Sequence, residues 1–207
     1  MSHTAEFQQL SPTTLADVLG REQVMDIGIR PLWAGMPRIA GPAYPVHCAP
    51  GDNLMLHAAI HRAPAGSVIV VEAGDVDYAV AGGNVCAVAQ KNGIAAFVID
   101  GVIRDLAEIR ERRFPVFARG LMPFPGGKDA LDVLNGTVRC GGVQVSPGVM
   151  VVADDEGIVV VAQDAINTVL ASAQAHAARD AELTLEQWEA AHRARIDEIL
   201  RKKGFSG

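Results

Sequence analysis

The alternation of strand and helix patterns between residues 44 and 119 is the feature that most restricts the fold of this chain. Short apolar runs alternate there with segments of helical periodicity. Predicted strands cover residues 44–48, 67–72, 94–99 and 114–119, and predicted helices lie between them at residues 54–62 and 85–92. A further helix is predicted before this region, at residues 13–25. Strands that are separated by helices pair in parallel, with the helices packed on the sheet. The sequence therefore predicts an α/β layer.

After Gly120 the pattern changes. Residues 121–135 are irregular, and short β-segments follow at residues 137–140, 142–145, 149–153 and 158–162. Such strands, separated by tight turns, predict a compact β-meander or half of a barrel. From Gln163 onward two helices are predicted, the second starting at a capping box of Thr184 and Gln187. We expect a single domain over residues 1–207, with residues 163–207 as a helical extension whose apolar stripes lie at a subunit interface.

Residues 81–105, AGGNVCAVAQKNGIAAFVIDGVIRD, combine two features that present polar groups at one place. A glycine pair opens the predicted helix, and a helix N-terminus offers unpaired N–H donors and a positive dipole end to an anion. The following strand leads to Arg104, a forked donor for carboxylate or phosphate, and to Asp105, an oxygen ligand for a divalent cation. The segment predicts a small-anion site completed by a metal ion. The competing interpretation is a surface ion pair or loop cap formed by Arg104 and Asp105.

The composition limits the classes of partner. The formal net charge is −6 and no stripe of Lys or Arg occurs outside the C-terminal tail, so nucleic acid is not an expected partner. No apolar run approaches the roughly 18 residues that span a bilayer, and the first ten residues lack the pattern of a secretory signal. We therefore expect a cytoplasmic protein without a membrane partner. The three widely spaced cysteines contain no CxxC pair and are predicted to be buried, reduced thiols.

Two further motifs have both a metal-binding and a structural interpretation. His57 and His61 lie one helical turn apart, but such a pair without a third ligand is usually packed or solvated. The acidic run from Asp154 to Gly157 lacks the spaced ligands of an EF-hand loop and is typical of a turn between strands. We prefer the structural interpretation of both motifs.

Three blocks of the sequence together resemble the RraA-like proteins, a family named for the regulator of ribonuclease activity A. They are CAPGDNLMLHAA, the run from GGN to RDLAEIRERRFPVFARG, and CGGVQVSPGVMVVADDEGIVVV, and the resemblance extends over residues 38–181. It implies an α/β/α-like sandwich related to swivelling phosphohistidine domains, assembled as homotrimers or hexamers with sites at subunit interfaces. The family includes class II pyruvate aldolases that cleave 4-hydroxy-4-methyl-2-oxoglutarate or 4-carboxy-4-hydroxy-2-oxoadipate. Its founding member inhibits a ribonuclease by protein contact.

The resemblance implies a role for several residues between positions 81 and 105. Arg104 matches the arginine that holds the substrate and stabilises its enolate, and Asp105 matches the aspartate that binds Mg²⁺ or Mn²⁺. The loop whose backbone amides bind the pyruvate carboxylate matches Gly82, Gly83, Asn84 and Val85. The implied cofactor is a divalent metal cation, and the implied substrate is a small 2-oxo acid.

Two positions depart from the aldolase pattern. The second loop residue of the aldolases is acidic and helps to hold metal-bound water, whereas this chain has Gly83. A C-terminal glutamate that reaches the neighbouring subunit aligns on Asp180, with Glu182 as the alternative.

The reaction that the resemblance implies is retro-aldol cleavage or decarboxylation of a 2-oxo acid through a pyruvate enolate, with Arg104 and Asp180 as catalytic residues. Decarboxylation of oxaloacetate tolerates Gly83 better than aldol cleavage does, because it needs only the metal and Arg104. The alternative function is that of a non-catalytic protein that binds and regulates a ribonuclease.

Overall fold

The computed structural model describes residues 3–205, which divide into two compact units, one ending at Ala173 and the other starting at Gln174. The strands of the first unit are β1 (Arg30–Pro31), β2 (Ile39–His47), β3 (Val68–Glu72), β4 (Ala79–Ala81), β5 (Ala96–Ile103), β6 (Val116–Leu121), β7 (Val138–Cys140), β8 (Val143–Val145), β9 (Met150–Asp154) and β10 (Gly157–Val161). Its helices are α1 (His3–Phe7), α2 (Pro12–Ala16), α3 (Leu54–Ala59), α4 (Gly83–Lys91), α5 (Leu106–Glu111) and the beginning of α6 (Ile166–Glu182), with 3₁₀ turns at Arg21–Gln23 and Gln163–Ala165.

One sheet organises the first unit. Its strand order is β1-β6-β5-β3-β2-β9-β10, and β4 pairs with the end of β5. The central strands β2, β3, β5 and β6 run parallel, whereas β1, β9 and β10 pair antiparallel. Since α3, α4 and α5 each connect successive strands along the chain, the predicted α/β fold with a β-rich second half is confirmed.

Both faces of the parallel strands are buried, as is usual for parallel sheets. Along β3, Ile69 and Val71 belong to one apolar cluster, while Val68 and Val70 belong to the other. This division follows from the two-residue period of a strand. Helices α3, α4 and α5 contribute the outer layer of the first cluster. The β7–β8 hairpin and apolar residues between positions 25 and 36 complete the second cluster.

The predicted helix at residues 13–25 was wrong beyond its first turn. Helix α2 ends at Ala16, and Gly20 has an extended backbone with φ −82° and ψ 162°. The N–H of Met25 then donates to the carbonyl of Ile158 in β10, with an N···O distance of 3.0 Å. The segment leaves the helical conformation because the backbone of Met25 is hydrogen-bonded to β10 at the edge of the sheet.

Two strand predictions also need correction. The strand predicted at residues 94–99 starts at Ala96 and continues to Ile103, because β4 and β6 both pair with its second half. A Cβ on Gly101 would lie 2.5 Å from Cβ of Ala73, so glycine is required where these segments cross. The predicted meander is divided, since β7 and β8 form a separate hairpin while β9 and β10 extend the main sheet from β2.

The second unit contains the end of α6 and helix α7 (Leu185–Lys202). The predicted capping box is present: the N–H of Gln187 donates to Oγ1 of Thr184 at 3.3 Å, and the N–H of Thr184 donates to Oε1 of Gln187 at 2.9 Å. Leu185 and Trp188 of α7 are exposed, and the packing of this region on another subunit stays a prediction. Within residues 3–205, no helix is both long and apolar enough to cross a membrane.

Candidate active site

The ends of four elements meet at one place in the first unit. They are the end of β4, the start of α4, the end of β5 and the start of α5. The N–H of Arg104 donates to the carbonyl of Ala81 at 3.0 Å. The N–H of Gly83 donates to Oδ2 of Asp105, also at 3.0 Å, although the two residues are 22 positions apart in the sequence. The structure thus brings the glycine pair of residues 82 and 83 together with Arg104 and Asp105.

Asp105 has an uncommon backbone conformation. It lies in the left-handed region, with φ 60° and ψ 38°, between the end of β5 and the start of α5. It occupies the N-cap position of α5, but its side chain does not cap that helix. Its carboxylate lies instead at the N-terminus of α4, where the helix dipole and the Gly83 N–H favour a negative charge. The backbone therefore directs this carboxylate into the site.

The Arg104–Asp105 contact is too loose to explain these residues as a structural ion pair. Nε of Arg104 lies 3.6 Å from Oδ2 of Asp105, and the two side chains are 41% and 40% exposed. An exposed pair at this distance contributes little to stability, on the order of 0–1 kcal/mol. The guanidinium and the carboxylate are both accessible to a ligand from solvent.

Gly82 is needed for the close approach of α4 to these side chains. A Cβ on Gly82 would lie 2.4 Å from Oδ2 of Asp105 and 3.3 Å from Nε of Arg104. Its φ of −151° is an ordinary extended value. Glycine is therefore required here by the space available and not by the conformation of the backbone.

A small cavity of about 90 Å³ adjoins these residues. Arg104, Asp105, Asn53, His57 and Lys128 give it its polar lining. Of the loop predicted to bind a carboxylate, Gly82, Asn84 and Val85 line the cavity, whereas Gly83 contacts Asp105 through its backbone. Arg104 and Lys128 give the cavity two cationic side chains, which suit a small anion.

Asp52 fixes the segment that carries Lys128. Its buried carboxylate accepts N–H groups from Leu54 at 2.7 Å, from Asp129 at 2.6 Å and from Ala130 at 3.2 Å. Burial opposes ionisation, but these backbone donors and the charge of Lys128 outweigh it, so the pKa of Asp52 is lowered. The ionised Asp52 carboxylate therefore holds the loop that contains Lys128.

Asn53 contributes a buried polar atom to the cavity. Its Nδ2 donates to the carbonyl of Gly126 at 3.2 Å, and its N–H donates to the carbonyl of Gly127 at 2.9 Å. Its Oδ1 has no hydrogen-bond partner within the described part of the chain, although Asn53 is only 3% exposed. A buried carbonyl oxygen without a partner in the protein is suited to a cation, a water molecule or a substrate hydroxyl.

The charges around His57 favour its neutral form. Burial first, and then the charges of Lys128 and His61, lower the pKa of the His57 imidazole. Cys86, one turn into α4, is also unreactive, because burial and then the Asp105 charge raise the pKa of its thiol to about 12. The neutral His57 imidazole therefore does not compete with Arg104 as the charged partner of an anion.

A divalent cation fits this site only as an ion that keeps most of its water. Within residues 3–205 there is no group of three or more His, Cys, Asp or Glu side chains that could hold a metal. Mg²⁺ is commonly bound by one or two carboxylates and by substrate oxygens while it retains several waters. Asp105 is half exposed and lines the same cavity as Asn53, so the residues present fit an ion of this kind.

The predicted C-terminal residues lie in the second unit. Asp180 is 62% exposed and its Oδ2 lies 3.5 Å from Nε2 of His176, one helical turn away. Glu182, the alternative, is the last residue of α6 and is also exposed. Asn53 and Lys128 were missed in the sequence as site residues. Asn53 resembles a helix cap, and Lys128 lies in the irregular segment 121–135.

The fold and the site define an α/β protein with a cavity at the carboxyl end of a parallel strand, and the cationic and anionic side chains that line the cavity suit a small anion and a hydrated cation. A family model described as RraA-like, Aldolase/RraA, matches residues 12–160. The chain belongs to the RraA-like family, and the resemblance found in its sequence is confirmed.

Several relatives share most of the chain. A protein of Halalkalibacterium halodurans, provisionally named a 4-hydroxy-4-methyl-2-oxoglutarate aldolase, is 33% identical over 97% of this chain and 91% of its own length. The crystal structure of Streptomyces coelicolor RraAS2, described as an unusual member of the RNase ES inhibitor RraA family, is similar with a TM-score of 0.76 and 29% identity, covering 93% of this chain and 96% of that one. The RNA-processing inhibitor RraA of Thermus thermophilis has a TM-score of 0.66 and 25% identity, covering 72% and 90% of the two chains.

Proposed function

We propose that this protein is a divalent-metal-dependent carbon–carbon lyase of small 2-oxo acids. Its substrates would be compounds such as 4-hydroxy-4-methyl-2-oxoglutarate, or oxaloacetate by decarboxylation, both of which yield pyruvate through its enolate. The observation that carries the proposal is the contact of Arg104, Asp105 and the start of α4 beside one cavity. The relatives named as aldolases support it.

The α4 N-terminus would hold the substrate carboxylate. As the second and third residues of α4, Asn84 and Val85 carry backbone N–H groups without an acceptor inside the helix. Both residues line the cavity. The N–H of Gly83 is already used by Asp105, so the substrate would be oriented by the amides that follow it.

Arg104 would stabilise the negative charge that develops on the enolate. The hydrogen bond from its N–H to the carbonyl of Ala81 holds its backbone beside the cavity that its side chain lines, where a charged donor could face the developing charge. Asp105 and Asn53 would hold Mg²⁺ or Mn²⁺, which when bound supplies Lewis-acid polarisation of the 2-oxo group. Lys128 faces the same cavity and would contact the distal carboxylate of a dicarboxylic substrate.

A carboxylate from a neighbouring copy would complete the site in a homotrimer or hexamer. Asp180 is the first candidate and Glu182 the second. Both are exposed on α6, where a second copy could receive them.

Pyruvate release is the direct test. The purified full-length chain is incubated with Mg²⁺ or Mn²⁺ and either oxaloacetate or 4-hydroxy-4-methyl-2-oxoglutarate, and pyruvate is measured with and without a chelator. We expect release that depends on the metal and is lost in Asp105→Ala. No release from either substrate, together with no metal-dependent binding of oxalate as an enolate analogue, would refute the lyase proposal.

The second candidate is a non-catalytic regulator that binds a ribonuclease. Gly83 favours it, because the acidic side chain of the aldolases is absent there, and solved relatives are described as RNA-processing inhibitors. Binding to an RNase E-type enzyme, measured by calorimetry and unaffected by Arg104→Lys, would support this candidate over the lyase.

A further inference from the structure

Arg104 and Asp105 line a second cavity in addition to the one at the start of α4. The cavity at α4 has a volume of about 90 Å³ and a polar lining, and is called the polar cavity below. The second cavity is larger, about 240 Å³, and its other walls are the apolar residues Leu106, Leu121, Met122 and Pro123. It is called the apolar cavity. The same two charged side chains therefore border a small polar space and a larger apolar one.

Regular structure holds the walls of the apolar cavity in place. Leu121 is the last residue of β6 and pairs with Ile103 at the end of β5. The N–H of Met122 donates to the carbonyl of Ile103 at 2.9 Å. Leu106 is the first residue of α5 and packs against the second apolar cluster of the core. The cavity is thus formed before a ligand enters, so little free energy is lost in ordering its walls.

The lining of the apolar cavity favours an alkyl group over a second carboxylate. Apolar walls with a few polar groups at one end are the usual form of a small-molecule site. Leu121 is 51% exposed, so its side chain is available for contact. Among the described residues that line the cavity, Arg104 is the single cation, and Asp105 carries a negative charge. A carboxylate placed deeper in this cavity would therefore lose water without gaining a cationic partner of its own.

The chemistry of the proposed cleavage decides which part of a substrate lies near this cavity. In retro-aldol cleavage of a 4-hydroxy-2-oxo acid the bond between C3 and C4 breaks, and its electron pair forms the pyruvate enolate, which is later protonated at C3. The C4 hydroxyl loses its proton and becomes the carbonyl of the departing product. With the C1 carboxylate at the start of α4 and the enolate facing Arg104, the substituents on C4 lie where the two cavities adjoin.

We infer that the apolar cavity binds an alkyl substituent on C4 of the substrate, and that Leu121 is a specificity-determining residue for this substituent. The substrate class is that of 4-alkyl-4-hydroxy-2-oxo acids whose alkyl group is larger than methyl. The inference rests on the proposed lyase function and deepens it by naming the group that the departing half carries. Leu121 contacts that group and takes no part in breaking the bond.

Three substrates that differ only at C4 test the inference in the wild-type protein. They are 4-hydroxy-2-oxoglutarates with a methyl, an ethyl or a carboxymethyl group on C4, and kcat/KM is measured from the initial rate of substrate consumption. One methylene in an enclosed apolar pocket changes kcat/KM by about tenfold or more, and the half-exposed Leu121 lowers this to at least about threefold in favour of ethyl over methyl. We expect the carboxymethyl substrate to be at least about tenfold poorer than the ethyl substrate.

A charged substitution at Leu121 tests the residue itself. Leu121→Arg places a cation in the apolar cavity, so the ratio of kcat/KM for the carboxymethyl substrate to that for the ethyl substrate should rise at least about tenfold. Leu131→Arg is the matched control, because Leu131 is 87% exposed and lines neither cavity. Solvent screens its added charge, so the ratio should stay within about twofold of wild type. Decarboxylation of oxaloacetate, which has no alkyl group, shows whether each variant remains a working enzyme.

The possible outcomes separate this inference from the proposed function. If wild type releases pyruvate but does not prefer the ethyl over the methyl substrate by the expected factor, the apolar cavity is not open to the C4 substituent. The inference is then overturned, as it would be if a second copy of the chain covered the cavity, and the lyase proposal stands. Equal ratios in working Leu121→Arg and Leu131→Arg variants overturn it as well. If wild type releases pyruvate from none of these substrates, the lyase proposal fails and the inference fails with it.

Discussion

Replacing Gly82 with alanine would introduce a methyl group 2.4 Å from Oδ2 of Asp105 and 3.3 Å from Nε of Arg104. Ordinary van der Waals contact begins at 3.4 Å, so the Asp105 carboxylate must move by about 1 Å. The backbone at position 82 is extended and accepts alanine without strain. The substitution therefore displaces the two charged side chains while leaving the fold intact.

A displacement of about 1 Å in a catalytic arrangement reduces the rate by about 100-fold, which corresponds to about 2.7 kcal/mol of transition-state stabilisation. We expect metal-dependent pyruvate release from oxaloacetate to fall by this factor in Gly82→Ala. The midpoint of thermal unfolding should stay near that of wild type, because the change lies at the edge of the core.

Gly120→Ala is the matched control for this experiment. Gly120 lies in β6, paired with Val102 near the end of β5, and a Cβ there meets no atom within 4 Å. Its variant should retain wild-type activity. If Gly82→Ala and Gly120→Ala release pyruvate at the same rate, close packing of Gly82 against Asp105 is not required for the reaction, and the argument from space is refuted.

Arg104→Lys should reduce the rate of pyruvate release at least about tenfold, or 1.4 kcal/mol, because a lysine ammonium cannot replace the planar, bidentate guanidinium. The control Arg110→Lys, on the exposed side of α5, should leave the rate unchanged. The lowered pKa of Asp52 means that its charge stabilises the fold above about pH 4 and that this stabilisation is lost as the pH falls through the lowered value. Asp52→Asn should therefore reduce the free energy of unfolding by about 2 kcal/mol at neutral pH and less in acid, as measured by urea denaturation; an equal difference at both pH values would contradict this. Burial raises the pKa of Cys48 to about 11 and that of Cys86 to about 12, so iodoacetamide should modify neither thiol in the native protein. Labelling of either thiol without denaturant, detected by mass spectrometry, would contradict their burial.

The parallel core could be predicted from the sequence because each strand is a short apolar run with turn residues on both sides. The second half of β5 could not, since Asp100 and Gly101 are poor strand formers. Their strand conformation depends on pairing with β4 and β6, which are distant in the sequence. Tertiary pairing determined the conformation there.

The sequence showed only part of the site for a similar reason. The glycine pair and Arg104–Asp105 carry local signals, namely a helix start and the end of an apolar strand. Asn53 and Lys128 enter the same cavity only because Asp52 binds the backbone of residues 129 and 130. A contact between segments that are so distant in the sequence leaves no periodic pattern in either of them.

The left-handed backbone at Asp105 also restricts the evolutionary paths that are open to this protein. Among the amino acids, Gly, Asn and Asp accept that conformation most readily. Asn keeps the shape of Asp and exchanges a single oxygen for nitrogen, so it removes the charge that a cation needs with little expected change in folding. One substitution thus separates a chain that has the carboxylate needed by the proposed metal site from a chain that keeps only the fold.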